Sequence, residues 1–149
     1  MSEPVKLLIN RLDPRAVIPS YQTAGAAAMD LTAVLDAPVT VAPQQRAMIP
    51  TGLAIALPDS GWVALLFGRS GLGVKYGVSP SNCVGVIDSD YRGEVKVSLT
   101  NFSDVPYTIH PGDRVAQLMI TPVVRAAVEE TDSLPPSERG TGGFGSTGK

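Results

Sequence analysis

At 149 residues and 15.6 kDa, the chain has room for one domain built around one core. A net charge of −2 and a pI near 5.3 exclude a nucleic-acid groove, which needs a basic excess or stripe. An anionic ligand must therefore be met locally, by a few placed arginines or by a metal ion.

Taken in order, residues 1–10 lack the basic, apolar and small-residue succession of a signal peptide. No apolar run reaches the roughly 18 residues of a membrane span. The expectation is a soluble, cytoplasmic protein. Thirteen prolines and fifteen glycines leave little room for long helices. Between them lie short β-favouring runs at 5–9, 29–35, 52–57, 62–67, 84–87, 95–102, 107–109 and 115–124. Residues 95–100, VKVSLT, alternate apolar and polar in the manner of a half-buried strand. The one helical stretch is 70–76. Many short strands between turn signals predict an all-β fold, a sandwich, barrel or jelly roll. Residues 1–128 form the predicted β domain, and 129–149, which lose the apolar pattern, form a flexible C-terminal arm. Charged residues make up only 17%, which points to surface hidden against other copies of the chain.

Four segments carry chemistry. Residues 68–73, GRSGLG, follow a strand and open the short helix. They read either as a capped turn or as an anion site, where free N–H groups stand beside Arg69 and Ser70. Residues 84–94, VGVIDSDYRGE, read as a β-hairpin, with Gly93 turning the chain back into the next strand. Either this is a plain turn or Asp88 presents a carboxylate to a pocket. In the second case it would orient and deprotonate a water, worth about 10²–10⁴ in rate. Tyr91 would offer its ring to a sugar. A metal site from Asp88, Asp90 and Glu94 matches no standard loop. Cys83, the single cysteine, excludes an internal disulfide and is expected as a small buried apolar residue. Residues 112–118, GDRVAQL, place a turn before a strand, with Gln117 facing out or into a pocket. Arg114 reads as an ion-pair partner, His110 as a turn residue, and Trp62 as core or subunit contact.

The fourth segment is 139–149, RGTGGFGSTGK. Its five glycines deny it a stable element of its own. It reads either as a disordered tail or as a cover that closes over a ligand. Its backbone N–H groups, hydroxyls and Arg139 suit phosphate oxygens, and Phe144 suits a flat base. The GxxxxGK spacing within it is no P-loop, because no hydroxyl or helix follows the lysine.

Together and in this order, residues 24–31, 68–73, 82–93, 112–118 and 139–148 resemble the five motifs of the trimeric deoxyuridine triphosphatase (dUTPase) family. The match spans nearly the whole chain. Departures are Ala28 and Met29 in the first motif and Gly68, where proline is usual, in the second. The resemblance implies a jelly-roll subunit and a homotrimer, with three sites at subunit interfaces, each closed by a neighbour's arm. It implies Mg²⁺-dependent hydrolysis of dUTP to dUMP and pyrophosphate. By that resemblance the reaction would keep uracil out of DNA and supply dUMP for thymidylate synthesis. The metal would be held by the phosphates and water rather than by protein. Asp88 would hold the water for in-line attack on the α-phosphorus. Arg69, Ser70, Gly71, Gln117, Arg139, Gly145, Ser146 and Thr147 would meet the phosphates. Asn82 and the backbone at Val86 and Ile87 would read uracil. Tyr91 would exclude a ribose, Phe144 would stack on the base, and Asp30 would support the sugar and water network. No nucleic acid or membrane is implied as a partner.

Two rivals remain. The related dCTP deaminase looks similar in fold but places a glutamate on the strand after the hairpin. Here Ser98 stands at that point, and a hydroxyl cannot replace a carboxylate base. A non-enzymatic jelly-roll module would have no need of Asp88.

Overall fold

A computed structural model describes residues 4–148. Ten strands and one short helix run in the order β1 (Leu8–Arg11), β2 (Met29–Thr32), β3 (Val39–Val41), β4 (Arg46–Ala56), β5 (Trp62–Phe67), α1 (Ser70–Tyr76), β6 (Val78–Pro80), β7 (Gly85–Ile87), β8 (Glu94–Asn101), β9 (Tyr107–Ile109) and β10 (Arg114–Pro122). They form two four-stranded sheets, β1-β4-β8-β6 and β2-β10-β5-β7, and a two-stranded sheet, β3-β9. All pairings are antiparallel. The fold is all-β and jelly-roll-like, as the sequence predicts. No helix among the described residues is long and apolar enough to cross a membrane.

β8 shows why these residues become strands. Val95, Val97 and Leu99 are buried while Lys96 is exposed, so the predicted alternation sets one face against the core. The opposite faces close with Leu31, Ala64, Leu66, Ala116 and Leu118 from the second sheet. Trp62 is half-buried and packs against this cluster. Asn101, at the end of β8, is fully buried and fully bonded. Its amide donates to the carbonyls of Val41 (3.0 Å) and Val105 (2.8 Å), and its oxygen accepts the Ser103 N–H and hydroxyl.

Three expectations need correction. The segment 84–101 is not a hairpin, because β7 pairs with β5 while β8 pairs with β4 and β6. The Asp88–Gly93 loop therefore crosses from one sheet to the other. Turn residues favour reversal but do not choose the partner strand; here β5 offers the open edge. Cys83 is exposed, with a φ of 62° in the turn that leads to β7. β4 begins at Arg46, six residues before the expected start at 52, and runs through Pro50 with a register break between Pro50 and Ala54.

Beyond Pro122 the described residues form no helix or strand and are almost wholly exposed.

Candidate active site

The candidate site residues fall into three groups, two in the body and one in the tail. The first is built by β7, the edge strand of its sheet. Its free side carries backbone N–H and C=O groups that no strand meets. Asp88 follows directly on the last residue of β7, and its carbonyl accepts the Tyr91 N–H at 3.2 Å. That turn fixes the carboxylate and the ring relative to each other. A cleft of about 400 Å³ opens here. Asn82, Val86, Ile87, Asp88 and Tyr91 line it from the β7 segment, and Met48, Glu94, Lys96 and Ser98 line it from β4 and β8. The Ser98 hydroxyl lies 2.7 Å from that of Ser81, which also takes Thr100 at 2.7 Å. Three bonded hydroxyls, and no carboxylate, thus stand at residue 98 and beside it.

The second group is assembled sideways across three strands. β10 lies between β2 and β5, and Gln117 is in register with Asp30 on one side and Phe67 on the other. Three segments far apart in sequence therefore lie next to one another. The Gln117 amide donates to the Gly68 carbonyl at 2.8 Å. Arg69 donates through Nε to Asp30 Oδ1 at 2.9 Å, and Arg114 donates to Asp30 Oδ2 at 3.0 Å. Asp30 is largely buried, and both of its oxygens face a guanidinium. Arg69 precedes α1, whose first N–H groups, at Ser70 and Gly71, fall outside the helical ladder. A cleft of about 460 Å³ runs past Arg69, Gly71, Lys75, Tyr107 and Arg114. Burial, and then the charge of Asp113, push the Tyr107 phenol above its ordinary value.

The third group is the tail. Arg139, Phe144, Gly145, Ser146 and Thr147 are all exposed, and the Phe144 ring is fully so. The tail's backbone bonds are local, such as Gly142 N–H to the Arg139 carbonyl at 3.1 Å and Ser146 N–H to the Gly143 carbonyl at 3.1 Å. None of these five residues lines either cleft, and the two clefts share no lining residue.

Among the described residues no group of three or more His, Cys, Asp and Glu could hold a metal ion. Asp88, Asp90 and Glu94 do not converge. Glu94, by contrast, has a place that sequence reasoning missed. Its Oε1 accepts the Gly52 N–H at 3.0 Å, and its carbonyl accepts the Tyr91 hydroxyl at 3.0 Å. The alternation of β8 set its start one residue later and gave no hint of either bond.

Comparison with known proteins adds a separate line. A family model described as dUTPase matches residues 15–148. A deoxyuridine 5'-triphosphate nucleotidohydrolase from Paraburkholderia phymatum is 50% identical over 147 residues, spanning 97% of this chain and 99% of that protein. One from Aeromonas salmonicida is 48% identical over 145 residues, spanning 97% and 95%. Among solved structures, the Staphylococcus bacteriophage 80alpha dUTPase with dUPNHPP superposes with a TM-score of 0.86 at 27% identity, covering 97% of this chain and 99% of that one.

Proposed function

The chain belongs to the dUTPase family, and from that membership we propose that it hydrolyses dUTP to dUMP and pyrophosphate, with water attacking the α-phosphorus. The observation that carries the reading is the position of Asp88. It stands at the end of a free strand edge, in one cleft with Asn82 and Tyr91. An edge strand presents donors and acceptors in a fixed row, and the uracil edge is a complementary row. Cytosine would leave buried groups mispaired, which is the strong form of discrimination. The Asp88 carboxylate holds the water and takes its proton as the new P–O bond forms and the bond from the α-phosphorus to the bridging oxygen breaks, releasing pyrophosphate. Tyr91 covers the sugar.

The separation of the three groups supports a site shared between subunits. Within one chain the uracil cleft, the Arg69–Gln117 cluster and the tail do not meet. A homotrimer brings one subunit's cleft against a second subunit's Arg69, Ser70, Gly71 and Gln117. The arm, residues 129–149, then brings Arg139, Ser146 and Thr147 to the phosphates and Phe144 to the base, shutting out bulk water. Asp30 acts through Arg69, since both of its oxygens are engaged by arginines.

The same engagement bears on the metal. With both Asp30 oxygens taken by arginines and no cluster of acidic ligands among the described residues, these residues would suit an Mg²⁺ that arrives on the triphosphate and keeps water as its other ligands. Bound there, the ion would neutralise charge building on the pyrophosphate. The product dUMP would feed thymidylate synthesis, uracil would be kept out of DNA, and the cytoplasm is the compartment that suits these roles.

The test is pyrophosphate release from dUTP, dCTP, dTTP and UTP, with and without Mg²⁺, in wild type and Asp88→Asn. The expected result is selective turnover of dUTP that falls by about 10²–10⁴ in the variant while nucleotide still binds. Wild-type turnover in Asp88→Asn, or ammonia release from dCTP, would overturn the assignment.

A further inference from the structure

We propose that Glu94 is a positioning residue that fixes the Tyr91 ring and thereby sets the refusal of a ribose 2′-hydroxyl. This rests on the reading of Tyr91 as the group that covers the sugar. Glu94 is the first residue of β8 and holds two things at once. Its backbone carbonyl accepts the Tyr91 hydroxyl at 3.0 Å, tying the ring back onto the chain three residues on. Its carboxylate accepts the Gly52 N–H at 3.0 Å, a charge-assisted bond to the neighbouring strand, and its other oxygen lies 3.5 Å from Lys96 Nζ.

Gly52 is a firm anchor. It lies in the register break of β4, between Pro50 and the Ala54–Glu94 pair. Its φ is +68°, and a Cβ added there would lie 3.0 Å from the Cβ atoms of both Ala16 and Asp13. Its carbonyl accepts the Leu12 N–H at 2.8 Å. Alongside, the Thr51 hydroxyl donates to the Val95 carbonyl. The carboxylate of Glu94 is thus bound to a closely packed, hydrogen-bonded stretch of backbone, and its carbonyl links that anchor to the ring.

Gly93 supplies the room. A Cβ at Gly93 would lie 2.6 Å from Tyr91 Cζ, so the ring lies directly over this residue and any side chain would lift it. Ring, glycine and glutamate form one latch. Its output is the space left beside the sugar's C2′.

The test compares kcat/KM for dUTP and UTP in the full-length chain for wild type, Tyr91→Ala, Gly93→Ala, Glu94→Ala, Glu94→Asp and Glu94→Gln. Tyr91→Ala should collapse the dUTP:UTP ratio by about a hundredfold, the scale of a lost close-contact discrimination. Glu94→Ala and Gly93→Ala should lower it by about tenfold, with the larger change in the UTP arm. Glu94→Asp retains the charge but withdraws it by one methylene from Gly52, and decides the matter if Glu94→Ala fails to fold. Glu94→Gln keeps an oxygen acceptor for Gly52 and should rescue the ratio to within about threefold of wild type. A ratio collapsed by Tyr91→Ala but untouched by both Glu94→Ala and Glu94→Asp, which should each lower it, would sink the latch and leave Tyr91's role intact. An equal fall for both nucleotides, with the ratio preserved, would make Glu94 a purely structural residue and also sink it. A ratio unmoved by Tyr91→Ala would overturn the reading of Tyr91 itself.

Discussion

Asp30 and Arg69 meet at 2.9 Å, carboxylate Oδ1 to Nε, and the other oxygen of the same carboxylate takes Arg114 at 3.0 Å. Arg69 also reaches the Arg114 carbonyl through Nη1 at 3.3 Å. Two bonded nitrogens set the plane of the guanidinium, and in the proposed reaction Nη2 would meet a phosphate oxygen. Asp30→Asn keeps the shape but removes the charge that balances two arginines. Steady-state kinetics should show kcat/KM for dUTP lower by about 10–100-fold, the cost of a mis-set phosphate contact. Arg69→Lys should lose a comparable amount, because a point charge cannot span Asp30 and a phosphate at once. Wild-type kinetics in Asp30→Asn would remove it from the site.

Deleting 139–149 should cost turnover and little stability. The Phe144 ring is fully exposed in the single chain, and among the described residues the tail's backbone bonds reach no further back than Ser137. Thermal unfolding at fixed protein concentration should stay within a few degrees of wild type. Pyrophosphate release should fall by about two orders of magnitude, the scale of a lost positioning element. A truncated chain that no longer folds would make the tail a structural segment.

Acid should weaken one identifiable contact. Arg15 hydrogen bonds to Asp13 through its side chain and its backbone N–H, holding the carboxyl at about 2 against an ordinary 3.8. The folded value lies below the unfolded one, so this stabilisation is complete above 3.8 and fades as pH falls from there through about 2. Asp13→Asn should therefore be less stable than wild type at neutral pH, by the small amount proper to an exposed pair. The gap should close over that acid range. Urea melts at a series of pH values would show it, and a gap that widened in acid would contradict the sign.

Leu99 is fully buried in β8, between β4 and β6. Leu99→Ala should destabilise the fold by about 2–5 kcal/mol, the usual cost of an unfilled core cavity. Denaturant titration at constant protein concentration measures it. A loss well under 1 kcal/mol would mean that the sheets close over the gap, contrary to ordinary core packing.

Local chemistry was legible and long-range pairing was not. The bounds of Trp62–Phe67, Ser70–Tyr76 and Tyr107–Ile109 follow from apolar runs and breakers next to them. β3 and β6, three residues each, carry too little pattern to be read and exist because β9 and β8 pair with them. Pro50 and Gly52 look like breakers, yet β4 absorbs both by shifting register. The closeness of Asp88 and Tyr91 is a property of one turn and could be read from the residues between them. The closeness of Asp30, Arg69 and Gln117 depends on β10 lying between β2 and β5, which no single segment encodes. The resemblance named those residues, and the sheet order supplies the physical reason. Glu94 escaped because its partner, Gly52, is 42 residues away and offers only a backbone N–H.

β7 has a further consequence through its length. At three residues it spans about 10 Å. The left-handed turn at Cys83 interrupts it on one side and the Asp88–Tyr91 turn on the other. A longer bare rim of this kind would template the addition of foreign strands, the route by which sheets aggregate. Cut this short, it gives a polypeptide little to extend, while leaving length enough for the one flat heterocycle proposed to bind there. The brevity that would suit the proposed nucleobase would also limit polymerisation along this border.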